Sequence, residues 1–327
     1  MSILIVGGAG YVGSHVNMYL NCVGYDTVVI DNLCRGHIES VQWGEFLRGD
    51  IGDVAFMDRV FKTHRIDAVM HFAAFAYVGE SVMKPDVYYD NNVVKTLSLL
   101  DSMIRNGVNN FIFSSTCATF GNAEQIPISE SHSQNPINPY GFTKFVVERV
   151  LRDYDRAYGL RSCIFRYFNA SGADPDSRIG EWHEPETHLI PLILEVAAGK
   201  RESINIFGTD YPTPDGTCIR DYIHVCDLAD AHKLGMERLI ATGESDHYNL
   251  GFGKGYSVRE AIDIAREVTG ASISTVEFER REGDPPVLIG AMQKAESLLK
   301  WQPKFSLKDS ITTAWKWYLT KLEKYDH

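Results

Sequence analysis

Short apolar runs alternate with amphipathic stretches through the first half of the chain. The runs are rich in β-branched and aromatic residues, which favours strands, and the stretches between them carry polar residues among apolar positions at helical spacing. The predicted strands cover residues 3–6, 27–30, 45–48, 68–72, 110–114 and 162–167, and the predicted helices cover residues 13–23, 53–64, 93–106 and 141–158. Because strands joined through helices pair in parallel, this alternation predicts an α/β fold built on a doubly wound parallel sheet.

The pattern changes after Asn169. Residues 171–187 are rich in Gly, Pro, Asp and Glu and have no period, which predicts a loop or a boundary. Later runs predict strands at 219–225 and 247–250 and helices at 227–240, 257–269 and 307–324. We therefore expect a large N-terminal lobe of residues 1–169, to which residues 225–251 return. A smaller mixed α/β lobe would consist of residues 170–224 and 252–327.

Gly7, Gly10 and Gly13 separate the first predicted strand from the first predicted helix. Glycines at this spacing allow a tight turn and close approach of the backbone to a pyrophosphate, and the helix N-terminus offers free N–H groups to the anion. The second strand leads into Asp31, whose carboxylate can accept the ribose hydroxyls of adenosine and repel a 2′-phosphate. The order of strand, glycines, helix, strand and acid therefore predicts a Rossmann-like lobe that binds NAD rather than NADP.

The chain has 327 residues and a formal net charge of −11. An acidic surface repels nucleic acids and anionic membranes, so neither is an expected partner, and an anionic ligand needs local positive charge. No apolar run approaches the roughly 20 residues of a membrane span, and the first strand begins without a signal-peptide pattern. Cysteines without Cys-x-x-Cys spacing and histidines without a helical His-x-x-x-His pair predict a cytoplasmic protein without a metal site.

Tyr140 and Lys144 lie four residues apart at the start of a predicted helix, so both side chains leave the same face. A neighbouring ammonium and a nicotinamidium ring both favour the phenolate form of a tyrosine, whose free pKa is about 10. The strand at 110–114 runs into Thr116 at the edge of the sheet where ligands bind. Its hydroxyl can bond a substrate hydroxyl and pass the proton to Tyr140. These three residues are the predicted catalytic residues. The alternative interpretation is that the Thr116 hydroxyl belongs to an ordinary turn at the end of a strand and that Tyr140 and Lys144 lie on a half-exposed helix face.

Motifs along the whole chain carry a resemblance to a known family. Besides Tyr140 with Lys144, they include Arg-Tyr-Phe-Asn at 166–169, Arg-Asp-Tyr-Ile-His-Val at 220–225 and Arg-Arg-Glu-Gly-Asp at 280–284. Further motifs lie at 7–13, 31–34, 49–51, 71–74, 78–82, 88–92, 208–217 and 248–251. On these residues the sequence resembles the extended short-chain dehydrogenase/reductase family and, within it, the UDP-galactose 4-epimerases.

The resemblance implies that bound NAD takes a hydride from carbon 4 of a UDP-sugar and returns it to the opposite face. Tyr140 is then the base, Thr116 assists it, and Lys144 holds the nicotinamide ribose. The implied cofactor-binding residues are Gly7, Gly10, Tyr11, Val12, Gly13, Asp31, Asn32, Asp50, Ile51, Phe72, Ala73, Ala74, Asn91, Ser114, Tyr140, Lys144, Tyr167 and Phe168.

The resemblance also implies a UDP-sugar site in the C-terminal half. Arg220 and Arg281 would clamp the diphosphate, with surface ion pairs as their alternative role. Asp284 would bind a nucleoside hydroxyl, and Phe207 would pack on uracil. The implied substrate-binding residues are Thr116, Tyr140, Phe168, Asn169, His188, Leu189, Asn205, Phe207, Arg220, Tyr222, Arg281 and Asp284. The resemblance further implies a homodimer that pairs through the helices at 93–106 and 141–158; the alternative is that the apolar faces of these helices are internal.

Three positions depart from the pattern of the family. Ala76 replaces a cofactor-side lysine, Thr116 replaces a serine and keeps the hydroxyl, and Leu288 leaves little room for an N-acetyl group. A 4,6-dehydratase would need an acidic residue after Thr116, where this chain has Cys117, Ala118 and Thr119. A UDP-arabinose or UDP-xylose 4-epimerase, or a non-catalytic protein that senses NAD, remains as an alternative function.

Overall fold

The structure is a computed structural model that describes residues 1–281 and 284–325. The motif at 280–284 and the predicted C-terminal range to residue 327 each extend outside the described residues. The strands are β1 (Ser2–Val6), β2 (Asp26–Asp31), β3 (Glu45–Arg48), β4 (Ala68–His71), β5 (Asn110–Thr116), β6 (Arg161–Tyr167), β7 (Asn169–Ser171), β8 (Ile204–Phe207), β9 (Ile219–His224), β10 (Asp246–Leu250), β11 (Gly255–Ser257), β12 (Thr275–Phe278) and β13 (Val287–Leu288). The helices are α1 (Tyr11–Cys22), α2 (Val54–Thr63), α3 (Val78–Met83), α4 (Pro85–Tyr89), α5 (Lys95–Arg105), α6 (Pro139–Tyr158), α7 (Leu189–Ala197), α8 (Val225–Thr242), α9 (Val258–Thr269), α10 (Gln293–Leu299) and α11 (Leu307–Tyr325).

The large sheet contains seven parallel strands within the described residues, in the order β10-β6-β5-β4-β1-β2-β3. Each strand and helix predicted from the sequence is present, with ends within two residues of the predicted ones. β1 pairs with β2 on one side and with β4 on the other, so the strand order reverses at β1. In doubly wound sheets, ligands bind beyond the carboxyl ends of the strands at such a reversal. The predicted α/β fold is confirmed.

Alternate residues of β1 pack into different apolar cores on the two faces of the sheet. Ile3 and Ile5 share one core with residues of α1 and α8, whereas Leu4 and Val6 share the other with residues of α2, α5 and α6. None of these four side chains is exposed. A parallel strand covered by helices on both faces must be apolar throughout, which explains the continuous apolar run at the start of the chain.

The C-terminal part contains smaller sheets. β9 pairs with β7, β11 and β13, and β8 pairs with β12. A separate apolar core joins residues of these strands to α7, α9 and α11. β10 instead lies at the edge of the large sheet beside β6, although it follows the first strands of the C-terminal part in sequence. The residues at which the chain divides into lobes stay a prediction.

α7 was not predicted from the sequence. Its residues Leu-Ile-Pro-Leu-Ile-Leu-Glu-Val-Ala are almost all apolar, so they lack the alternation of polar and apolar positions that indicates a helix. None of the helices in residues 1–281 and 284–325 has both the length and the apolar character needed to cross a lipid bilayer.

Candidate active site

A cavity of about 1240 Å³ lies at the carboxyl ends of β1, β4 and β5 and continues to the smaller sheets. Pockets for single ligands usually measure roughly 300–1,000 Å³, so this space suits more than one ligand. Every predicted cofactor-binding and substrate-binding residue lies in its wall. The fold therefore brings the two predicted sets of residues, which come from both halves of the chain, together around one space.

The turn between β1 and α1 needs its glycines for different reasons. Gly7 has a φ of +81°, and a Cβ there would lie 2.4 Å from the backbone nitrogen of Ala73. A Cβ on Gly13 would lie 2.3 Å from the carbonyl oxygen of Gly7, so the fold itself requires both glycines. Gly10 has a φ of −83°, and the nearest neighbour of a Cβ there, the same carbonyl oxygen, would be 3.4 Å away. The fold has room for a side chain at Gly10, so the bare backbone there points to close approach of a ligand.

Two carboxylates on the same side of the cavity are held in fixed orientations. Asp31, at the end of β2, accepts hydrogen bonds from the backbone nitrogens of Ala9 at 3.0 Å and Leu33 at 2.8 Å. Burial raises the pKa of Asp31, and these two hydrogen bonds oppose the rise. Asp50 lies 2.8 Å from the ammonium group of Lys95. Asp31 thus links the glycine-rich turn to the end of β2, where an adenosine ribose is expected.

The start of α6 packs directly on the turn that follows β5. β5 ends at Thr116, and the side chain of Asn138 caps α6 by accepting a hydrogen bond from the Gly141 nitrogen at 2.8 Å. A Cβ on Gly141 would lie 2.5 Å from the carbonyl oxygen of Ala118. Because this glycine lets the helix approach so closely, Thr116 and the residues of the first turn of α6 line the same part of the cavity.

Tyr140 and Lys144 both extend from α6 into this part of the cavity. Lys144 is 4% exposed, and its ammonium nitrogen donates a hydrogen bond to the Ser114 carbonyl oxygen at 2.8 Å. Burial lowers the pKa of Lys144 to about 7. Burial also raises the pKa of Tyr140, and the Thr116 hydroxyl partly opposes that rise. In the ligand-free protein these shifts favour a neutral phenol, and positive charge near Tyr140 would favour the phenolate.

The lowered pKa of Lys144 predicts a specific pH dependence of stability. In the ligand-free protein the pKa is about 7, against an ordinary 10.5, so between these values the unfolded chain holds a proton that the folded chain has released. The free energy of unfolding should therefore rise with pH through this window relative to that of Lys144→Met. Below the window both states are protonated, and the difference should level off. Denaturant unfolding of both proteins from about pH 6 to about pH 10 measures this; a constant difference would contradict a neutral buried amine.

A buried ion pair behind the predicted catalytic residues joins β5, β6 and α6. The guanidinium of Arg166 lies 2.6 Å from the carboxylate of Glu148, with side chains 3% and 1% exposed. The Ser115 hydroxyl donates to the same carboxylate at 2.5 Å. Glu148 lies one helical turn after Lys144, and Ser115 immediately precedes Thr116. This network, which the sequence did not predict, fixes the strand that carries Thr116 against the helix that carries the other two residues.

Two arginines of the C-terminal half also lie in the cavity wall. Arg220 lies 2.6 Å from Asp284, so the ion pair considered as an alternative role for Arg220 is present. The guanidinium of Arg281 lies 3.8 Å from the ring centroid of Phe207 and covers one face of that ring. A uracil that packs on this face would displace Arg281 from it.

The cavity wall also contains charged residues that the sequence did not predict. Arg35 lines the cofactor side together with Ala76, and it pairs with Glu80 at 2.8 Å. It provides a cation on the side where Ala76 replaces a lysine. Glu181 and His183 come from the loop before α7. Tertiary packing brings them to the cavity, and no local pattern in the sequence of the loop predicts that position.

Comparison with known proteins establishes the family. The model of the NAD dependent epimerase/dehydratase family matches residues 3–251. The chain belongs to this family. The match begins in β1 and continues through the end of β10, so it includes every strand of the large sheet and the glycine-rich turn.

Individual members are similar over nearly the whole chain. The UDP-glucose 4-epimerase of Rhizobium meliloti (strain 1021) is 51% identical over 317 residues, which are 97% of each chain. A crystal structure of a UDP-glucose 4-epimerase is 50% identical, covers 100% of both chains and has a TM-score of 0.97. The crystal structure of UDP-glucose 4-epimerase from Brucella ovis in complex with NAD is 49% identical and has a TM-score of 0.94, covering 96% of this chain and 97% of that one.

Proposed function

We propose that the protein interconverts UDP-galactose and UDP-glucose, with NAD as a bound cofactor, by removal and return of a hydride at carbon 4. The observation that carries the proposal is the placement of Thr116, Tyr140 and Lys144 in one cavity, between the bare backbone of Gly10 and the guanidinium of Arg220. A hydroxyl, a phenol and a buried amine suit proton removal from a sugar hydroxyl. The names of the similar proteins support the same substrate pair.

The glycine-rich turn and its neighbours fit NAD. No side chain caps the start of α1, so its first N–H groups and the open surface at Gly10 are available to a pyrophosphate. Asp31 would hold the adenosine ribose, and Lys144 the nicotinamide ribose. When bound, NAD accepts the hydride of carbon 4 and gives it back. The cofactor therefore needs to stay in place through the whole reaction.

Gly10→Ala tests this fit. Because the fold has room for the Cβ, we expect the free energy of unfolding to change by less than about 1 kcal/mol. A methyl group would meet the pyrophosphate, so we expect at least tenfold weaker NAD binding, about 1.4 kcal/mol or more. Titration with NAD and denaturant unfolding measure the two effects. Gly13→Ala is the contrasting variant and should destabilise the fold itself; normal NAD binding by Gly10→Ala would argue against this site.

The protein's own groups divide the work at carbon 4. The Thr116 hydroxyl bonds the sugar 4-hydroxyl and relays its proton to Tyr140. Lys144 has a pKa of about 7, so a large share of it is an ammonium near neutral pH and favours the Tyr140 phenolate. Arg220 and Arg281 hold the diphosphate, and the sugar between them and Tyr140 is held less firmly. A loosely held 4-keto sugar can turn about its diphosphate link and present its other face, which produces the inverted alcohol.

Turnover of nucleotide sugars tests the proposed function. Purified protein with bound NAD should convert UDP-galactose into UDP-glucose and reach the same product ratio from either sugar. UDP-arabinose, UDP-xylose and UDP-N-acetylgalactosamine serve as parallel substrates. Leu288 lies in the cavity wall, where its bulk disfavours an N-acetyl group. Faster turnover of the pentose pair would favour the pentose epimerase instead, and no turnover of any sugar with NAD bound would favour a sensor.

We also propose that two copies pair through α5 and α6. Val94, immediately before α5, and Phe142 on α6 are 54% and 42% exposed. Apolar side chains exposed on neighbouring helices are suited to a symmetric contact. Light scattering should give twice the chain mass of 36.8 kDa; the mass of a single chain would contradict pairing. The location in the cytoplasm stays a prediction.

A further inference from the structure

The loop before α7 contains a cluster of nitrogen and oxygen ligands. Glu181, His183, Glu186 and His188 each contribute one such atom, and these atoms all lie within 4.8 Å of one another. The four residues come from a single short segment, 181–188, so they can chelate one ion together. We propose that this loop binds a divalent first-row transition metal ion, of which Zn²⁺ is the best match.

The separations between the ligand atoms suit such an ion. The Nδ1 atom of His183 lies 3.3 Å from Glu181 Oε1 and 3.5 Å from Glu186 Oε2. His188 Nδ1 lies 3.6 Å from the other Glu186 oxygen, Oε1, so only one of the two Glu186 distances applies when a single oxygen binds. The ligand atoms are at most 4.8 Å apart, and the widest pair has to move closer when the ion binds. Four ligands that are each about 2.1 Å from a tetrahedral ion lie roughly 3.4 Å from one another. The Nδ1 atom of His188 is 2.5 Å from Glu181 Oε1, because these two atoms share a hydrogen bond. An ion between them replaces that proton and moves this pair apart.

Burial and charge also favour a cation at this position. The side chains of Glu181 and Glu186 are only 7% and 10% exposed, and two buried like charges so close together need compensation. The Nδ1 atom of His183 is buried and makes no hydrogen bond of good geometry, although both carboxylates are near it. A doubly charged ion would neutralise the two carboxylates and give this nitrogen a partner.

The chemistry of the ligands restricts the kind of ion and its role. Imidazole nitrogens suit zinc and its neighbours in the first transition row, whereas Mg²⁺ and Ca²⁺ prefer oxygen ligands throughout. Four protein ligands fill a tetrahedral shell and leave no position for water or substrate. The ion would therefore stabilise structure and take no part in the chemistry at carbon 4.

The contacts around the cluster indicate what the ion would fix. The Trp317 indole on α11 donates a hydrogen bond to the Glu181 carbonyl oxygen at 3.1 Å. The ring of His183 packs edge-on against that of Tyr11 at the start of α1, with centroids 6.2 Å apart. His188 is the N-cap of α7 and precedes Leu189 in the proposed UDP-sugar site. The ion would join the glycine-rich turn, α11 and α7 at the wall of the cavity.

Metal content tests the proposal directly. NAD-loaded protein is incubated with an equimolar amount of ZnCl₂, passed through a desalting column in metal-free buffer, and its metal is measured by mass spectrometry. The matched variants are His183→Gln with Glu186→Gln, and His64→Gln with Glu45→Gln. His64 and Glu45 form a surface pair 3.3 Å apart and control for the loss of one histidine and one carboxylate. We expect one zinc per chain in the wild type and in the surface variant, and at least tenfold less in the loop variant.

The wild type alone can overturn the proposal, even if the loop variant does not fold. Zinc should also raise the melting temperature of the wild type, whereas equal MgCl₂ should not, because a ligand that binds only the folded state stabilises it. Less than a tenth of a zinc per chain in the wild type, or equal zinc in wild type and folded loop variant, would exclude this site. Metal content does not depend on turnover, so this result is separate from that of the epimerase assay.

Discussion

Replacing Tyr140 with phenylalanine should slow the conversion of UDP-galactose to UDP-glucose by about 10²–10⁴-fold, the usual contribution of a general acid or base. Only one hydroxyl is removed, and the ring continues to fill its place beside Thr116. The effect should appear in kcat, with little change in KM, because the lost proton transfer belongs to the transition state. Steady-state kinetics with wild-type and variant proteins of equal NAD content measure this.

A matched control comes from the same helix. Tyr154, on α6 and away from the cavity, bonds Asp101 through its hydroxyl at 2.7 Å. Tyr154→Phe removes the same group and should leave kcat unchanged within about twofold, since surface changes of this kind are usually worth less than 0.5 kcal/mol. If Tyr140→Phe retained a kcat within tenfold of the wild type, another group would have to be the base.

Glu148→Gln should cost about 3–5 kcal/mol of the free energy of unfolding, because it leaves the buried guanidinium of Arg166 without a countercharge. Burial alone would raise the pKa of Glu148, but Arg166, together with the hydrogen bonds from Ser115 and Gln134, outweighs burial and holds that pKa below its ordinary value. The carboxylate therefore stabilises the protein above the ordinary carboxyl pKa, and this stabilisation is lost as the pH falls. Denaturant unfolding near neutral pH measures the difference between variant and wild type.

The surface supplies a comparison for this buried pair. Arg149 and Asp153 form an ion pair four residues apart on α6, with side chains 65% and 52% exposed. Arg149→Gln should change the free energy of unfolding by about 0.5 kcal/mol or less. Equal effects of Arg149→Gln and Glu148→Gln would mean that the buried network does not hold β5 against α6. Because Ser115 belongs to that network, Glu148→Gln should also displace Thr116 and lower turnover.

The N-terminal half could be predicted because its signals are local. β1, the glycine-rich turn, α1 and Asp31 follow one another in sequence, and each signal depends only on nearby residues. Tyr140 and Lys144 lie on one helical face, whatever surrounds them. The structure adds a distinction that the spacing could not make: Gly7 and Gly13 are required by the fold, whereas Gly10 is free for a ligand.

Features that depend on distant residues were missed. Glu148 and Arg166 are separated by 18 positions and meet only when β6 packs beside α6. The prediction that the protein has no metal site was based on the absence of Cys-x-x-Cys and helical His-x-x-x-His spacings. The four proposed metal ligands in the loop before α7 follow neither spacing. Loop geometry in three dimensions cannot be derived from such spacing rules.

The most direct test of the proposed chemistry follows the hydrogen at carbon 4. UDP-galactose that carries deuterium at that carbon is incubated with NAD-loaded protein in ordinary water, and the UDP-glucose formed is analysed by nuclear magnetic resonance. Removal and return of the same hydride within one cavity predicts UDP-glucose with deuterium retained at carbon 4. UDP-glucose with ordinary hydrogen at carbon 4 would contradict this account, and so would the absence of UDP-glucose.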